Sequence, residues 1–541
     1  GANTAHAHPI LFRRIEDARQ ANPSMKLIVV DPRRTETAEM ADLFLPILPG
    51  TDVALFHGML HVMMQEGLLD MAFVNQHTNG FADLQATLAD YTPQKVAETC
   101  GIPVADLVQA ARWFGGHTPT LSLYCQGLNQ SSRGTDKNAT LINLHLATGQ
   151  IGKPGAGPFS LTGQPNAMGG REVGGMANLL SAHRDLGNPQ HRAEVAALWG
   201  VPDVPAKPGR TAVEMFEAAA RGEIKALWIA CTNPAQSLPD QATVRKALAM
   251  AELVVVQEAF GSTATCEFAD ILLPATTQLE HLDVHTSYGH TDVLINEPAL
   301  SPRGLAKPNT QIFRELAAAM GLDEPCLQDS DEALAAQVFK PGSGLTLAAL
   351  REQGWLSLPV PDAPFADGGF ATPSGRARVG VPGLGLPDFV PPYESVQSAP
   401  ELAARYPLAM ISPPARNFLN SSFVNVQSLR DIEGEPLLEM HPDDAAARDI
   451  ADGAFVRVFN DRGSYRCRVS VGKRARPGVV NGLGIWWRKF GLDGRNVNEL
   501  THQRLTDLGA APSFYDVLVQ VELDASGGAT ATSPDSRVAT A

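Results

Sequence analysis

A glycine-rich loop is the first place in this sequence where chemistry could occur. It reads GQPNAMGGREVGG (residues 163–175) and holds five glycines and a single arginine–glutamate pair. Glycine is costly to order, so a cluster of glycines indicates that the backbone passes very close to another group. An irregular surface loop would have the same composition. Gly163, Gln164 and Arg171 are therefore candidate site residues, and both interpretations stay open at this point.

Polar residues in three other turns could bind a phosphate or a ribose. The opening GANTAHAHP lacks GxGxxG spacing, but its glycine turn with Asn3 can offer backbone N–H groups to a phosphate. Asp31 ends an apolar run, where a carboxylate commonly contacts a ribose hydroxyl. Arg33, one of two adjacent arginines, could pair with a phosphate or be solvated. The PGTD turn, with Gly50 and Asp52, is equally explained as a helix N-cap.

The sequence assigns no metal ligand. His285 and His290 have Asp283 nearby, but their spacing is not HExxH and no third ligand is evident, which favours polar packing near a cavity. No GxSxG elbow supports a Ser-His-Asp triad. The six cysteines are scattered and contain no CxxC pair: Cys100, Cys125, Cys231, Cys266, Cys326 and Cys467. This usage suits a reducing compartment, and we predict a cytoplasmic protein.

The candidate residues must be positioned by alternating strands and helices. The run MKLIVVDPRR is an apolar strand that ends at Asp31, and a second series of strands and helices begins with IKALWIACTNPAQSLPD. Such alternation predicts parallel sheets, whose ligands lie beyond the carboxyl ends of the strands. The second series therefore adds two candidate turns, Thr232–Asn233 and Gln257–Glu258.

The chain is predicted to be α/β, with two doubly wound parallel-sheet domains and a C-terminal β-barrel. The α/β domains would span residues 1–160 and 161–330, and a proline- and glycine-rich linker would span 331–400. GAFVRVFNDRGSYRCRVSV alternates apolar and polar residues around a turn, which predicts a hairpin within a barrel at 401–525. The tail at 526–541 is predicted to be disordered.

The overall charge excludes some partners. The net charge is −15 over 541 residues with both signs interspersed, which argues against nucleic acid or an anionic membrane surface as a partner. No apolar run is long enough to span a bilayer, so no membrane insertion is predicted. The first residue is Gly1 rather than methionine, and we expect the natural protein to begin earlier.

Several long segments resemble one enzyme family. The stretch LNQSSRGTDKNATLINLHLATGQIGKPGAGPFSLTGQPNAMGGREVGGMANLL is similar to the signature of assimilatory nitrate reductase catalytic subunits, within the molybdopterin oxidoreductase superfamily of the dimethyl sulfoxide reductase type. KALWIACTNPAQSLPD, QEAFGSTATCEFADILLPA, FATPSGRARV, SPPARNFLNSSF and NELT resemble the same group. The similarity covers most of the chain in the same order.

The resemblance implies a reaction and a role for Arg171. In such enzymes molybdenum is held by two molybdopterin guanine dinucleotides, and nitrate is reduced to nitrite by oxygen-atom transfer. The glycine loop would pass beneath the cofactor, and Arg171 would bind nitrate, because a planar guanidinium can grip a flat oxyanion with two parallel hydrogen bonds. Pairing of Arg171 with Glu172 or another carboxylate is the alternative. An electron-donor protein or subunit would supply the electrons.

The resemblance also implies the contacts to the cofactor. One dinucleotide would lie against residues 1–8 with Asn3, 31–35 with Asp31 and Arg33, 50–52 with Gly50 and Asp52, and 126–130 with Gln126 and Gln130. The other would lie against Thr232, Asn233, Gln257 and Glu258. The barrel would close over both pterins through the 412–422 loop with Arg416, Asn417 and Asn420, through Trp486 or Trp487, and through Asn498.

The sequence departs from this family pattern in three ways. A four-cysteine site for a [4Fe–4S] cluster and the residue that ligates molybdenum are expected only upstream of Gly1, so we expect the chain to be incomplete. His281 stands where nitrate reductases usually carry a lysine, and the barrel resembles less characterised members of the superfamily. A formate dehydrogenase-like enzyme, another molybdopterin oxidoreductase of unknown substrate, and a non-catalytic fragment that binds dinucleotides stay open as alternatives.

Overall fold

The computed structural model describes residues 1–164 and 166–525, and these residues form two compact units. The first unit contains residues 1–161, 233–246 and those from 362 onward, and the second contains 162–232 and 247–361. The predicted disorder of residues 526–541 lies outside the described residues. The domain boundaries predicted from the sequence stay predictions.

The α/β part of the first unit is built around one buried helix. That helix, Asp52–Gln65, is apolar on nearly all sides and therefore packs inside the main apolar cluster, with Leu55, Leu60 and Met63 fully buried or nearly so. Strand Ile28–Val30 pairs in parallel with Leu43–Leu45, Leu121–Tyr124 with Gly157–Ser160, and Thr78–Asn79 with Ala377–Arg378. The other helices of this part are Thr4–Ala7, Pro9–Ala21, Glu36–Glu39, Met71–His77, Phe81–Thr87, Pro93–Cys100, Val104–Gly116, Gln126–Asn129, Gly134–Ala147 and Pro234–Ser237.

The predicted C-terminal barrel is confirmed. It is closed by six strands in the spatial order Leu408–Ile411, Val479–Leu483, Leu437–Met440, Ser464–Val471, Phe455–Phe459 and Val517–Leu523. The predicted hairpin pairs Phe459 with Ser464, and alternate residues of Phe455–Phe459 are buried, as period-two alternation requires. Short helices at Pro400–Arg405, Gln427–Glu433 and Pro442–Ala446 accompany the strands.

The described residues of the second unit form parallel and antiparallel sheets. Leu253–Glu258 is the central strand of the parallel sheet, between Ala226–Ala230 and Ile271–Pro274. One antiparallel sheet consists of Asp283–Thr286, Asp292–Asn296 and Trp355–Ser357, and another pairs Leu179–Leu180 with Arg184–Asp185. Helices of this unit are Ala167–Glu172, Pro189–Trp199, Ala212–Ala220, Asn309–Met320, Asp331–Gln337 and Leu347–Gln353, and the helix Gln241–Met250 ends in it. In the described part of the chain, no helix combines the length and apolarity needed to cross a bilayer.

Candidate cofactor and substrate site

Asp31 lies where the strand pattern predicted it, at the carboxyl end of Ile28–Val30. Its amide donates to the carbonyl of Leu45 at 3.2 Å, and its carboxylate Oδ1 accepts from the amide of Arg33 at 2.9 Å. Burial raises the pKa of the Asp31 carboxyl group. Its Oδ2 lies 3.8 Å from the amino group of Gly1. The carboxylate thus sits at the sheet edge where a parallel sheet binds its ligands.

Arg33 is not solvated, which corrects one of the two interpretations of its sequence context. Its Nε and Nη2 donate to the two carboxylate oxygens of Glu439 at 2.7 and 2.8 Å, and both side chains are about nine-tenths buried. Asn481 Nδ2 donates to the same carboxylate at 2.9 Å. Nη1 of Arg33 makes no hydrogen bond within the described residues, so one edge of the guanidinium is left for a ligand.

Asn3 is anchored to the short helix Glu36–Glu39. Its Nδ2 donates to Glu36 at 3.0 Å, and its Oδ1 accepts from the hydroxyl of Thr37 at 2.9 Å. The opening turn is thereby fixed beside the residues that follow Asp31, and a shared contact of both segments with one dinucleotide stays a prediction. Arg474 donates to the second oxygen of Glu36 at 2.8 Å.

Glu36 makes the stability of this corner dependent on pH. Burial alone would raise the pKa of its carboxyl group, but hydrogen bonds from Arg474 and Asn3 lower it from 4.5 to about 2. The folded pKa is below the unfolded one, so the carboxylate stabilises the fold above pH 4.5, and this contribution is lost as the pH falls toward 2. We expect the melting temperature of Glu36→Gln to lie below that of the wild type at neutral pH, and the gap to narrow in acid. A gap that is constant with pH would contradict this assignment.

The PGTD turn has structural partners of its own. Gly50 has a φ of +85°, and a Cβ there would lie 2.1 Å from Cγ of Pro392, so only glycine fits. Thr51 precedes the helix but makes no side-chain cap, and its hydroxyl donates to the carbonyl of Leu48 at 2.7 Å. Asp52 forms a buried ion pair with Lys137 at 2.7 Å. A cofactor contact by Asp52 would therefore share its carboxylate with Lys137.

The segment 126–130 is joined to a C-terminal stretch that sequence reasoning missed. Gln126 opens a short helix and Gln130 follows it, where the carbonyl of Gln130 accepts from the amide of Phe514 at 3.2 Å. Asp516 Oδ2 accepts from the amide of Ser132 at 2.5 Å. No sequence signal connects these segments, because the contact joins residues 384 positions apart.

The barrel residues predicted to close over the cofactor fall into two groups. Trp486 is 4% exposed and packs edge-on against Phe418 with ring centroids 5.1 Å apart, while Trp487 donates its indole N–H to the carbonyl of Ser421 at 2.7 Å. These contacts hold the 412–422 loop against the two indole rings. The polar residues of the loop are less enclosed: Arg416 and Asn420 are exposed, and Asn417 donates to Glu433 at 2.8 Å.

Asn498 and Asn233 approach the same short helix in the first unit. Asn498 Nδ2 donates to the carbonyl of Gln236 at 3.0 Å, and Asn498 is 1% exposed. Asn233 immediately precedes the helix Pro234–Ser237, and its carbonyl accepts from the amide of Gln236 at 3.0 Å. Two predicted residues more than 250 positions apart are therefore brought together through Gln236.

Gln257, in the second unit, is fully buried and its amide is already satisfied. Its Oε1 accepts from the indole N–H of Trp228 at 3.2 Å, and its Nε2 donates to Asn309 at 2.6 Å. Its side chain thus orients Asn309, a residue that sequence reasoning did not select. Its neighbour Glu258 accepts from the amide of Ala259 at 2.8 Å, and burial raises the pKa of Glu258. Thr232 is exposed at the end of the adjoining strand.

The glycine loop contains a short helix, Ala167–Glu172, tied to the strand Asp283–Thr286. Asn166 makes this contact: its Oδ1 accepts from the amide of Thr286 at 2.9 Å. A Cβ at Gly169 would lie 2.3 Å from Asn166 Oδ1 and 2.9 Å from Thr286 Oγ1, so a larger residue there would disturb the contact. At Gly163 and Gly170, in contrast, nothing described lies within 4 Å of the Cβ position. Internal packing therefore explains some of these glycines and leaves two facing open space.

Arg171 and Gln164 are exposed in this loop. Among the residues that the structure describes, the Arg171 guanidinium has no ion pair or hydrogen bond, so the alternative pairing with Glu172 is not observed. His285 and His290 each lie 3.8 Å from a neighbouring aspartate, Asp283 and Asp292. No cluster of three or more potential metal-ligating side chains occurs in residues 1–164 and 166–525.

Comparison with known proteins gives the fold and the family. The family model described as "Molybdopterin oxidoreductase" matches residues 1–319, and the one described as "Molydopterin dinucleotide binding domain" matches residues 408–518. A nitrate reductase from Synechocystis sp. is 36% identical, with 96% of this chain and 74% of the relative covered. The assimilatory nitrate reductase catalytic subunit of Bacillus subtilis is 30% identical, with 96% and 73% covered.

A solved structure supports the predicted architecture. Acetylene hydratase from Pelobacter acetylenicus matches with a TM-score of 0.78 at 23% identity, covering 95% of this chain and 76% of that protein. This similarity and the closed barrel confirm the predicted fold class, α/β with a C-terminal barrel. With one family model matching more than half of the residues, the chain belongs to the molybdopterin oxidoreductase family.

Proposed function

We propose that this enzyme reduces nitrate to nitrite at a molybdenum centre held by two molybdopterin guanine dinucleotides. The observation that carries the proposal is the exposed Arg171 guanidinium, which has no partner in the described chain and lies in a glycine loop with open space beside Gly163 and Gly170. The names of the Synechocystis and Bacillus subtilis relatives support the choice of nitrate. When bound, the cofactor would supply the two-electron, oxygen-accepting chemistry.

Buried polar atoms without partners provide a test of whether the first unit suits a polar cofactor. Within the described residues, Asn481 Oδ1, Ser513 Oγ and Asp516 Oδ1 are buried and make no hydrogen bond. Buried polar atoms without a hydrogen-bond partner are rare in native proteins and destabilise the fold. Asn481 is linked to Arg33 through Glu439, and Ser513 and Asp516 lie on either side of the segment whose Phe514 amide donates to Gln130. A ligand rich in amino, hydroxyl and phosphate groups therefore fits this part of the chain.

The residues proposed to hold the cofactor are those the sequence selected. They supply three kinds of group: strand-end carboxylates and amides, exposed backbone at glycines, and the barrel loop with its supporting indoles. In chain order they are Asn3, Asp31, Arg33, Gly50, Asp52, Gln126, Gln130, Gly163, Gln164, Thr232, Asn233, Gln257, Glu258, Arg416, Asn417, Asn420, Trp486 and Asn498. Of these, Gln257 could act through Asn309, because its Nε2 already donates to Asn309 and its Oε1 already accepts from Trp228.

Arg171 would bind and orient the substrate. Reduction consumes nitrate, two electrons and two protons and yields nitrite and water, so the site must attract a monoanion and release another. A guanidinium that is not neutralised by a carboxylate gives the required attraction, and its planar fork matches two oxygens of a trigonal ion. The electrons would come from a donor protein or subunit, and a [4Fe–4S] cluster for their entry stays an expectation from the resemblance.

Formate oxidation is the second candidate reaction. Formate dehydrogenase H from Escherichia coli is 29% identical to this chain over 538 residues. Formate is also a flat monoanion, so an unpaired Arg171 would suit it as well. The two candidates differ in the direction of electron flow, which an assay can separate.

The protein expressed from its complete coding sequence is the right preparation for the test. We expect it to contain molybdenum and to release two GMP per molybdenum on acid hydrolysis, and to oxidise reduced viologen with nitrate but not to reduce oxidised viologen with formate. Formate-dependent reduction without nitrate turnover would replace the proposed substrate. Absence of both molybdenum and GMP from a folded preparation would favour the non-catalytic alternative.

A further inference from the structure

A buried polar cluster joins the end of the first strand to the barrel. The Arg33 guanidinium donates twice to Glu439 at 2.7 and 2.8 Å, and Asn481 donates to Glu439 at 2.9 Å. Arg33 and Glu439 are at most 9% exposed, and Asn481 is fully buried. We propose that Glu439 positions Arg33 toward a phosphate of the dinucleotide and that Asn481 accepts a hydrogen bond from the same ligand. This inference rests on the proposed cofactor.

The geometry of the pair leaves one edge of Arg33 available. Glu439 occupies Nε and Nη2 with a bidentate contact, which fixes the guanidinium plane. Nη1 has no hydrogen bond in the part of the chain that the structure describes. A buried ion pair contributes little net stability compared with apolar side chains of the same shape, so stability alone does not account for it.

The surroundings of Arg33 are suited to an anion. Burial lowers the pKa of the nearby His6 imidazole; Glu36 raises it, and the charges of Arg416, Arg33 and Arg474 lower it again. Three guanidinium groups therefore lie near one point of the first unit. Arg33 and Arg474 pair with Glu439 and Glu36, whereas Arg416 has no ion pair within the described residues. A phosphate group could be held between Arg416 and the free edge of Arg33.

The unsatisfied atom of Asn481 is its oxygen, and Glu439 fixes that assignment. Rotating the amide would bring Asn481 Oδ1 against the Glu439 carboxylate, so the nitrogen must face Glu439 and the oxygen must face away. The oxygen is buried and accepts no hydrogen bond from the described residues. Asn481 also pairs with Ile411, the last residue before the 412–422 loop. A ligand donor such as the amino or N1–H group of a guanine would satisfy it.

The same cluster could instead serve only to join the barrel to the α/β part. Under that interpretation, changes at Glu439 and Asn481 would alter thermal stability and leave ligand affinity in the folded protein unchanged. Asn460 is a matched control for this case. It is another buried barrel asparagine, but its Nδ2 donates to the carbonyls of Leu500 and Leu518 at 2.9 and 3.2 Å.

The test uses the complete cofactor-free protein and GDP as the probe, with affinity measured by calorimetry and folding by melting temperature. We expect Asn481→Leu to weaken GDP binding about tenfold, the loss of one hydrogen bond to a polar ligand. Its melting temperature should also fall, because Glu439 loses the hydrogen bond from Asn481 Nδ2, so the affinity of the folded variant is the deciding measurement. Glu439→Gln should weaken GDP binding as well and serves if Asn481→Leu does not fold. Asn460→Leu should lower the melting temperature without changing the affinity.

Each outcome decides between the interpretations. Wild-type affinity for GDP in both folded Asn481→Leu and Glu439→Gln would overturn the inference and leave the proposed function standing. A wild-type protein that neither binds GDP nor carries GMP when purified from cells would overturn the cofactor assignment and this inference with it.

Discussion

Replacing Arg171 with lysine in the cofactor-loaded enzyme is expected to raise KM for nitrate by roughly ten- to more than a hundredfold, and replacing it with alanine should raise KM further. The estimate for lysine comes from losing one charge-assisted hydrogen bond, about 1.5–3 kcal/mol, at about 1.4 kcal/mol per tenfold in affinity. Lysine keeps the charge but loses the two-pronged fork, whereas alanine removes both hydrogen bonds and the charge. Molybdenum content and melting temperature should not change, because Arg171 is exposed and has no partner in the described residues.

Arg303 provides the matched control for Arg171. It is also an exposed arginine of the second unit without an ion pair in the described chain, and it lies outside every segment predicted to bind the cofactor. Arg303→Ala should leave KM, molybdenum content and melting temperature at wild-type values. An unchanged KM in Arg171→Ala at full molybdenum occupancy would remove Arg171 from the substrate site and would favour a structural role for the loop.

The strand end at Asp31 and the barrel hairpin could be predicted from the spacing of apolar residues along the chain. Asp31 was placed at a strand end because an apolar run stops there, and the barrel was predicted because residues 455–471 alternate with period two around a turn. Both follow from backbone geometry acting over a few residues. The family resemblance carried the rest of the candidate site, since no composition or spacing distinguishes Gln126 or Asn498 from other polar residues.

Side-chain partners far apart in the chain could not be predicted. Arg33 meets Glu439 across 406 positions, and Ser132 meets Asp516 across 384. No periodicity links such residues, because their contact is set by how whole elements pack. The sequence therefore left Arg33 as either solvated or phosphate-bound and could not reveal its buried pair with Glu439, which rules out the first role and leaves Nη1 for the second. It likewise gave Asp52 a capping or cofactor role and could not reveal its partner Lys137.

The largest effect on stability is expected from Lys137→Met. Lys137 Nζ lies 2.7 Å from Asp52 Oδ2, and the two side chains are 3% and 10% exposed. Removing the ammonium leaves the buried Asp52 carboxylate, at the first position of its helix, without its ion-pair partner. Breaking a buried pair in this way costs about 3–5 kcal/mol, whereas replacing both partners by apolar or neutral groups of similar shape is often neutral.

Three variants of the cofactor-free protein separate pairing from cofactor binding at Asp52. Lys137→Met should lower the melting temperature strongly, and adding Asp52→Asn in the same chain should restore most of the loss, because no buried charge then remains. Lys225→Met is the control: it breaks an ion pair of similar length, 2.8 Å to Glu252, but with side chains 71% and 67% exposed, so water and salt already screen it. If Lys137→Met melts like Lys225→Met, the pair with Asp52 does not stabilise the fold. The double variant then decides the role of Asp52 itself. If its melting temperature is restored but it binds GDP more weakly than Lys137→Met does, the Asp52 carboxylate contacts both Lys137 and the ligand.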